Sequence, residues 1–225
     1  MSSLTSRFMG AVLAGALIVL LGGCAPATSE TQSTDTGAAP AIAVDGGLAV
    51  GEGSDRIDIW VDFQCGHCNS FENANGAYLA GMVEDGEATL VVHPLHFMDT
   101  GSGKTRSLTA ANTLACAAEA KPESVTDLIA LIFAKQGTDW TADDMIALGE
   151  KAGAGDLSDC VNGGTFVTWV KDSQEAVFGG EMPKGSELEK VTGTPTVLVN
   201  GALYEGDPRD NAEFKRFVNG QLTSK

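Results

Sequence analysis

Hydrophobic and polar positions change period several times along this chain, and each change marks an element. Residues Arg56–Gln64 (RIDIWVDFQ) alternate apolar with polar and are rich in Ile, Val and aromatics, which predicts a strand. Residues 65–83 place Phe71, Ala74, Tyr78, Leu79 and Met82 at helical spacing, with Gly76 and Gly81 weakening that helix. Ala88–Leu95 (ATLVVHPL) reads as a second strand, with Pro94 near its end. Upstream, two short apolar runs in Ala41–Val50 flank Asp45-Gly46-Gly47, a hairpin signal. From residue 102 to about 189 the pattern is helical throughout. Leu108, Ala111, Leu114 and Ala115 mark one helix, and Val125–Lys135 a second. Thr141 caps a third that carries Met145, Ile146 and Leu148, and short helices are expected over 156–161 and 166–178. Strand character returns in Thr194–Asn200 (TPTVLVN), turns at Asn200-Gly201 and runs back through Ala202–Glu205. A helix over 209–222, with Phe214, Phe217 and Val218 on one side, closes the chain. The predicted class is α/β, with an all-helical segment set between the second and third core strands.

The N-terminus has a different character. Residues 1–7 carry one positive side chain and no acid, and Phe8–Leu21 is almost wholly apolar. That run is short of the roughly 20 residues a membrane span needs and fits the hydrophobic core of an export signal. It ends in Leu21-Gly22-Gly23-Cys24, which resembles a bacterial lipobox. The resemblance implies removal of residues 1–23 as a signal peptide, lipidation of Cys24 and attachment to the cell membrane outside the cytoplasm. Residues 24–40 are small and polar and are expected to form a flexible tether. The expected layout is then 41–101 for the first part of the main domain, 102–189 for the inserted helices and 190–225 for its second part. The net charge of −16, without a basic cluster, argues against a nucleic-acid partner and against electrostatic docking on anionic lipid.

The chain has five cysteines. With Cys24 as the lipid site, Cys65, Cys68, Cys116 and Cys160 remain, an even number in an exported protein, which suggests disulfides. Only Cys65 and Cys68 are close in sequence, which leaves Cys116 and Cys160 as a structural pair pinning the inserted helices. A zinc site built from all four is disfavoured, because structural zinc uses two close pairs. His93 and His96 lie three apart on a strand and point to opposite faces, so they read as strand-end packing rather than a chelate. Trp60, Trp140 and Trp169 are expected in the core or near the site, and Lys104 and Arg106 in solvent. No metal and no cofactor is expected.

The chemistry concentrates in Cys65-Gly66-His67-Cys68, directly after a strand and at the start of a helix. Free N–H groups and the positive end of the helix stabilise a thiolate at Cys65, lowering its pKa to the range of about 3.5 to 7.5. Cys65 is expected to be acidic and solvent-accessible, the sulfur that is attacked. Cys68, one turn further in, is expected to be buried and to resolve. Gly66 is read as allowing a tight turn, and His67 as a side chain that stabilises the thiolate and makes the disulfide more oxidising.

A strand, CGHC and a helix, followed much later by Gly193-Thr194-Pro195-Thr196, resemble the thioredoxin superfamily. The resemblance implies that Pro195 is a cis-proline facing the cysteine pair and that Thr194 and Pro195 bind the substrate chain. Within that superfamily the helical insertion, the DFQC of Asp62–Cys65 and Phe71-Glu72 resemble the disulfide-bond protein A (DsbA) family of exported thiol oxidases. Its members imply exported proteins with free thiols as substrates and a membrane thiol oxidase as the reoxidant. Two departures stand out: Gly66 occupies a position often held by proline, and Ile59 stands where many relatives carry a buried acid, six residues before the first cysteine. The favoured reading is a thiol–disulfide oxidoreductase that oxidises exported proteins. The alternatives are a reductase or isomerase using the same site, and a non-catalytic thioredoxin-like binding lipoprotein.

Overall fold

The computed structural model describes residues 37–223. The expected signal peptide, the expected lipid site Cys24 and most of the expected tether lie outside the described residues. A six-stranded sheet is formed by β1 (Ala43–Val44), β2 (Gly47–Val50), β3 (Asp55–Asp62), β4 (Ala88–Leu95), β5 (Thr196–Val199) and β6 (Ala202–Leu203), in the order β1-β2-β4-β3-β5-β6. β3 and β4 run parallel, in register from Asp55↔Ala88 to Asp62↔Leu95, and the other pairs are antiparallel. The parallel pair requires a crossover, which α1 (Gly66–Glu84) supplies. Both hairpins turn where the sequence predicted, and Asp45, Gly46, Asn200 and Gly201 all take positive φ there.

Between β4 and β5 lie α2 (Arg106–Ala120), α3 (Val125–Ala134), α4 (Ala142–Lys151), α5 (Ser158–Gly163) and α6 (Val167–Gly179), and α7 (Asn211–Gln221) follows β6. Two single 3-10 turns, Phe97–Asp99 and Pro122–Ser124, were not predicted. α2 is the centre of the helical block and packs on α3, α4, α5 and α6. Its inward residues are small: Ala110, Ala111, Ala115, Ala117 and Ala118 are buried, which lets neighbouring helices approach closely. α4 begins with a full capping box between Thr141 and Asp144. Cys116 on α2 and Cys160 on α5 form a disulfide across 44 positions. In the chain-entropy account a loop of that length contributes about 4 kcal/mol.

The sheet places alternate residues on its two faces. Ile57, Ile59 and Val61 of β3 join Phe71 and Leu79 of α1 and Phe214 of α7 in one apolar cluster, with the Phe71 and Phe214 rings edge to face at 5.1 Å. Trp60 and Leu198 join Val177 of α6 in a second cluster. Trp140 and Trp169 are also buried. His93 is buried, stacks on Trp60 at 4.2 Å and pairs through Nε2 with Asp58 Oδ1 at 2.8 Å. No cluster of metal-binding side chains occurs among the described residues, and no described helix is long and apolar enough to cross a membrane. Arg106 departs from the sequence reading. It pairs with the exposed Asp139 and lies 5.8 Å from the Trp140 ring centroid, its stem only partly exposed.

Candidate active site

The site forms where β3 ends and α1 begins. β3 stops at Asp62, two residues short of the predicted end, because the Asp62 carboxylate and carbonyl accept the N–H groups of Gln64 and Cys65 and fold the chain into a turn. Cys65 is thereby the N-cap of α1. The cysteines are free thiols, and their environments differ sharply. The Cys68 thiol hydrogen-bonds the Cys65 sulfur and is the largest influence lowering its pKa, to about 5; the Thr194 hydroxyl and the N–H groups of Cys68 and His67 add to it against the cost of burial. The helix end therefore contributes as the sequence implied, but the neighbouring thiol contributes more. Cys68 is driven the other way, far above an ordinary thiol, by burial first and then by its proximity to Cys65.

Several site expectations meet a different geometry. Cys65 is only 7% exposed rather than open to solvent, because the Thr194 segment lies across it, with the Thr194 carbonyl 3.4 Å from Sγ. His67 is exposed, and it is its backbone N–H that reaches the Cys65 sulfur. Gly66 has helical backbone, and a Cβ there would meet nothing within 4 Å. No steric demand for glycine exists at that position. The Thr194–Pro195 peptide bond is cis and brings Thr194 against the pair. The Thr194 hydroxyl is buried and makes no bond in the thiol form, so it is free to donate to the thiolate.

Residues distant in sequence hold this turn. Gln136, just beyond α3, donates through Nε2 to the carbonyls of both Phe63 and Cys65, each at 3.0 Å. Gln64 Nε2 donates to Asp99 Oδ1 and to Ser107 Oγ. Asp99 accepts the N–H groups of Ser107 and Leu108 and so caps α2 from outside it. Asp62, fully buried, accepts from Ser107 Oγ at 2.6 Å and from the Met98 N–H at 3.0 Å. Burial raises its pKa to about 6 despite those hydrogen bonds, which pull it down. Sequence reasoning missed Gln136, Asp99 and Ser107.

The class that this fold and the paired thiols define is that of the thioredoxin-fold proteins. The profile of the family described as Thioredoxin matches residues 46–220, and the chain belongs to that family. Among solved structures, the chain is similar to the reduced form of the disulfide bond oxidoreductase DsbG from Mycobacterium tuberculosis. Identity is 25% over 76% of this chain and 79% of that one, with a TM-score of 0.63. Oxidised DsbA from Mycobacterium tuberculosis is 24% identical over 79% and 93%, with a TM-score of 0.65. MdbA, a thiol-disulfide oxidoreductase from Actinomyces oris, is 19% identical over 82% and 92%, with a TM-score of 0.67. No curated protein sequence matches the chain.

Proposed function

We propose that this protein oxidises thiols of exported proteins to disulfides outside the cytoplasm, while anchored to the cell membrane through lipid on Cys24. The observation that carries the reading is the opposed acidity of two adjacent thiols, Cys65 drawn down to about 5 and Cys68 pushed up. A stabilised thiolate favours the reduced pair, so the Cys65–Cys68 disulfide is a strong oxidant. A client thiolate attacks Cys65 Sγ, and the Cys65–Cys68 bond breaks with its electron pair leaving on Cys68. The client's second thiolate then attacks its own sulfur in the mixed disulfide and expels Cys65 as a thiolate. The client leaves oxidised and the enzyme reduced, and a membrane thiol oxidase restores the disulfide. Thr194 and Pro195, held against the pair, form the docking edge for the client backbone. The Cys116–Cys160 disulfide and the N-terminal signal pattern support an oxidising, exported setting.

The test is the reduction potential of Cys65–Cys68 equilibrated with glutathione, alongside oxidation of a reduced two-cysteine peptide. A value at or above about −150 mV is expected, on a scale from about −270 mV for a reductant to −120 mV for a strong oxidant. A value near the reductant end, with no peptide oxidation, would sink the oxidase reading in favour of a reductase.

A further inference from the structure

Gln64 and Gln136, which hold the active-site turn, also line a pocket of about 210 Å³ together with Arg106, Thr138 and Trp140. Gln64 directly precedes Cys65, so this pocket adjoins the residue that carries the reactive sulfur. Both amides have a fixed orientation. Each Nε2 commits its two hydrogens, to Asp99 and Ser107 from Gln64 and to the Phe63 and Cys65 carbonyls from Gln136. The two Oε1 atoms are left as acceptors, and no donor reaches them among the described residues.

Arg106 is held more firmly than a surface cation needs. Trp140 Nε1 donates to the Arg106 carbonyl at 3.1 Å, and the guanidinium lies 5.8 Å from the centroid of the Trp140 ring. Its Nε is buried with no acceptor, a cost that calls for an explanation. Its ion-pair partner, Asp139, is 80% exposed, and Lys104 Nζ lies 3.8 Å from the same carboxylate. Exposed pairs of this kind hold their partners weakly. Two cations sharing one such acid leave positive charge beside the pocket, on a protein whose net charge is −16. The acid next to Gln64, Asp99, is already engaged by the N–H groups of Ser107 and Leu108.

We propose that this pocket is a client subsite for a carboxylate side chain, Asp or Glu, placed next to the client's reactive cysteine, with Arg106 as the specificity-determining residue. This rests on the redox-pair reading of Cys65 and Cys68 and names the class of client that the pair selects. The client carboxylate displaces Asp139 from the guanidinium and, taken side-on, gives the buried Nε its acceptor. The Gln64 and Gln136 oxygens accept backbone N–H groups of the client beside that residue. A basic client residue would meet Arg106 and Lys104 as like charges, and an uncharged one would leave Asp139 in place.

The experiment is oxidation of reduced two-cysteine peptides by the oxidised protein at low ionic strength, the peptides identical except for Glu, Gln or Lys beside the first cysteine. Each kcat/KM is divided by the same protein's rate with dithiothreitol, an uncharged dithiol, which removes differences in the cysteine pair itself. Wild type is expected to prefer Glu over Gln about 10-fold, the value of one charge-assisted hydrogen bond, with the difference in KM and with Lys below Gln. High salt is expected to shrink that preference. Arg106→Gln is expected to erase it, and Arg106→Glu to reverse it in favour of Lys, which a merely structural loss would not do. Asp139→Asn, at an exposed position, removes the competing carboxylate and is expected to raise the Glu preference. Equal use of Glu and Gln by wild type, a preference for Lys, or a Glu preference that survives Arg106→Gln would overturn the proposal. An unchanged or smaller preference in Asp139→Asn would overturn the part given to displacing Asp139. If the protein proves to be a reductant, the same ratios are read from reduction of the disulfide forms of the peptides. Failure of the oxidase reading is thereby told apart from failure of the subsite, and a pair that exchanges in neither direction overturns both.

Discussion

Two pairs of cysteines sit in the same chain and do opposite things. Cys116 and Cys160 come from the interior of α2 and the first turn of α5 and are joined in a disulfide, away from the cis Thr194–Pro195 bond. Cys65 and Cys68 sit three positions apart, unjoined, where the end of a strand, the start of a helix and the Thr194 segment converge. The thiol chemistry is identical, so the difference lies in the surroundings. A thiolate next to donors becomes a good leaving group, and a bridge between packed helices becomes a brace.

Separating the pairs by substitution gives the largest expected effect. Cys65→Ser should abolish peptide oxidation, while the double change Cys116→Ser with Cys160→Ser should leave it in place. The same double variant should lose about 4 kcal/mol of unfolding free energy in urea titration. Loss of activity in the double variant at full folding would erase the contrast. A smaller effect is the pH dependence of the site. With Cys65 ionising at about 5 and Cys68 staying protonated, the potential should fall by about 59 mV per pH unit below that point and by about 30 mV above it. Linkage has the same origin. The folded pKa of Cys65 is depressed from 9.0 to about 5, so its contribution to the stability of the reduced form grows from pH 5 to 9 and is lost as pH falls through 5. Denaturation of the reduced protein across that window, against the oxidised one, checks the sign.

Thr194→Val comes next. Removing the hydroxyl that reaches the Cys65 sulfur should raise its pKa by about one unit, the value of one hydrogen bond, read by ultraviolet thiolate absorbance. The smallest effect concerns Glu72. Its folded pKa is raised from 4.5 to about 7, so the neutral form is the one that folding favours, and stability is lost as pH rises through that interval. Glu72→Gln should therefore raise the melting temperature slightly at pH 8 and leave it unchanged at pH 4.

The sequence exposed most of the fold because most of it rests on periodic burial. β4 takes the bounds read for it from the sequence, and Asp45-Gly46 and Asn200-Gly201 turn where positive φ is needed. The cysteine pair was legible because strand, Cys-x-x-Cys and helix are contiguous. What escaped were contacts between a side chain and a remote backbone. Gln136 reaches across 71 positions to Cys65 from a loop whose composition carries no signal. Arg106 looked like an ordinary surface cation, and only the fold lays it against Trp140. Gly76 was legible only as a cost to the helix, because the carboxyl that occupies its space comes from the turn before it.

The amide of Gln136 binds two carbonyls on either side of Gln64 while belonging to the inserted helices. A shortened protein made by excising residues between β4 and β5 would therefore keep its sheet hydrogen bonds and both reactive sulfurs, yet release the strand exit that aims them. Miniaturising this enzyme would demand a replacement clasp there before any attention to the cysteines.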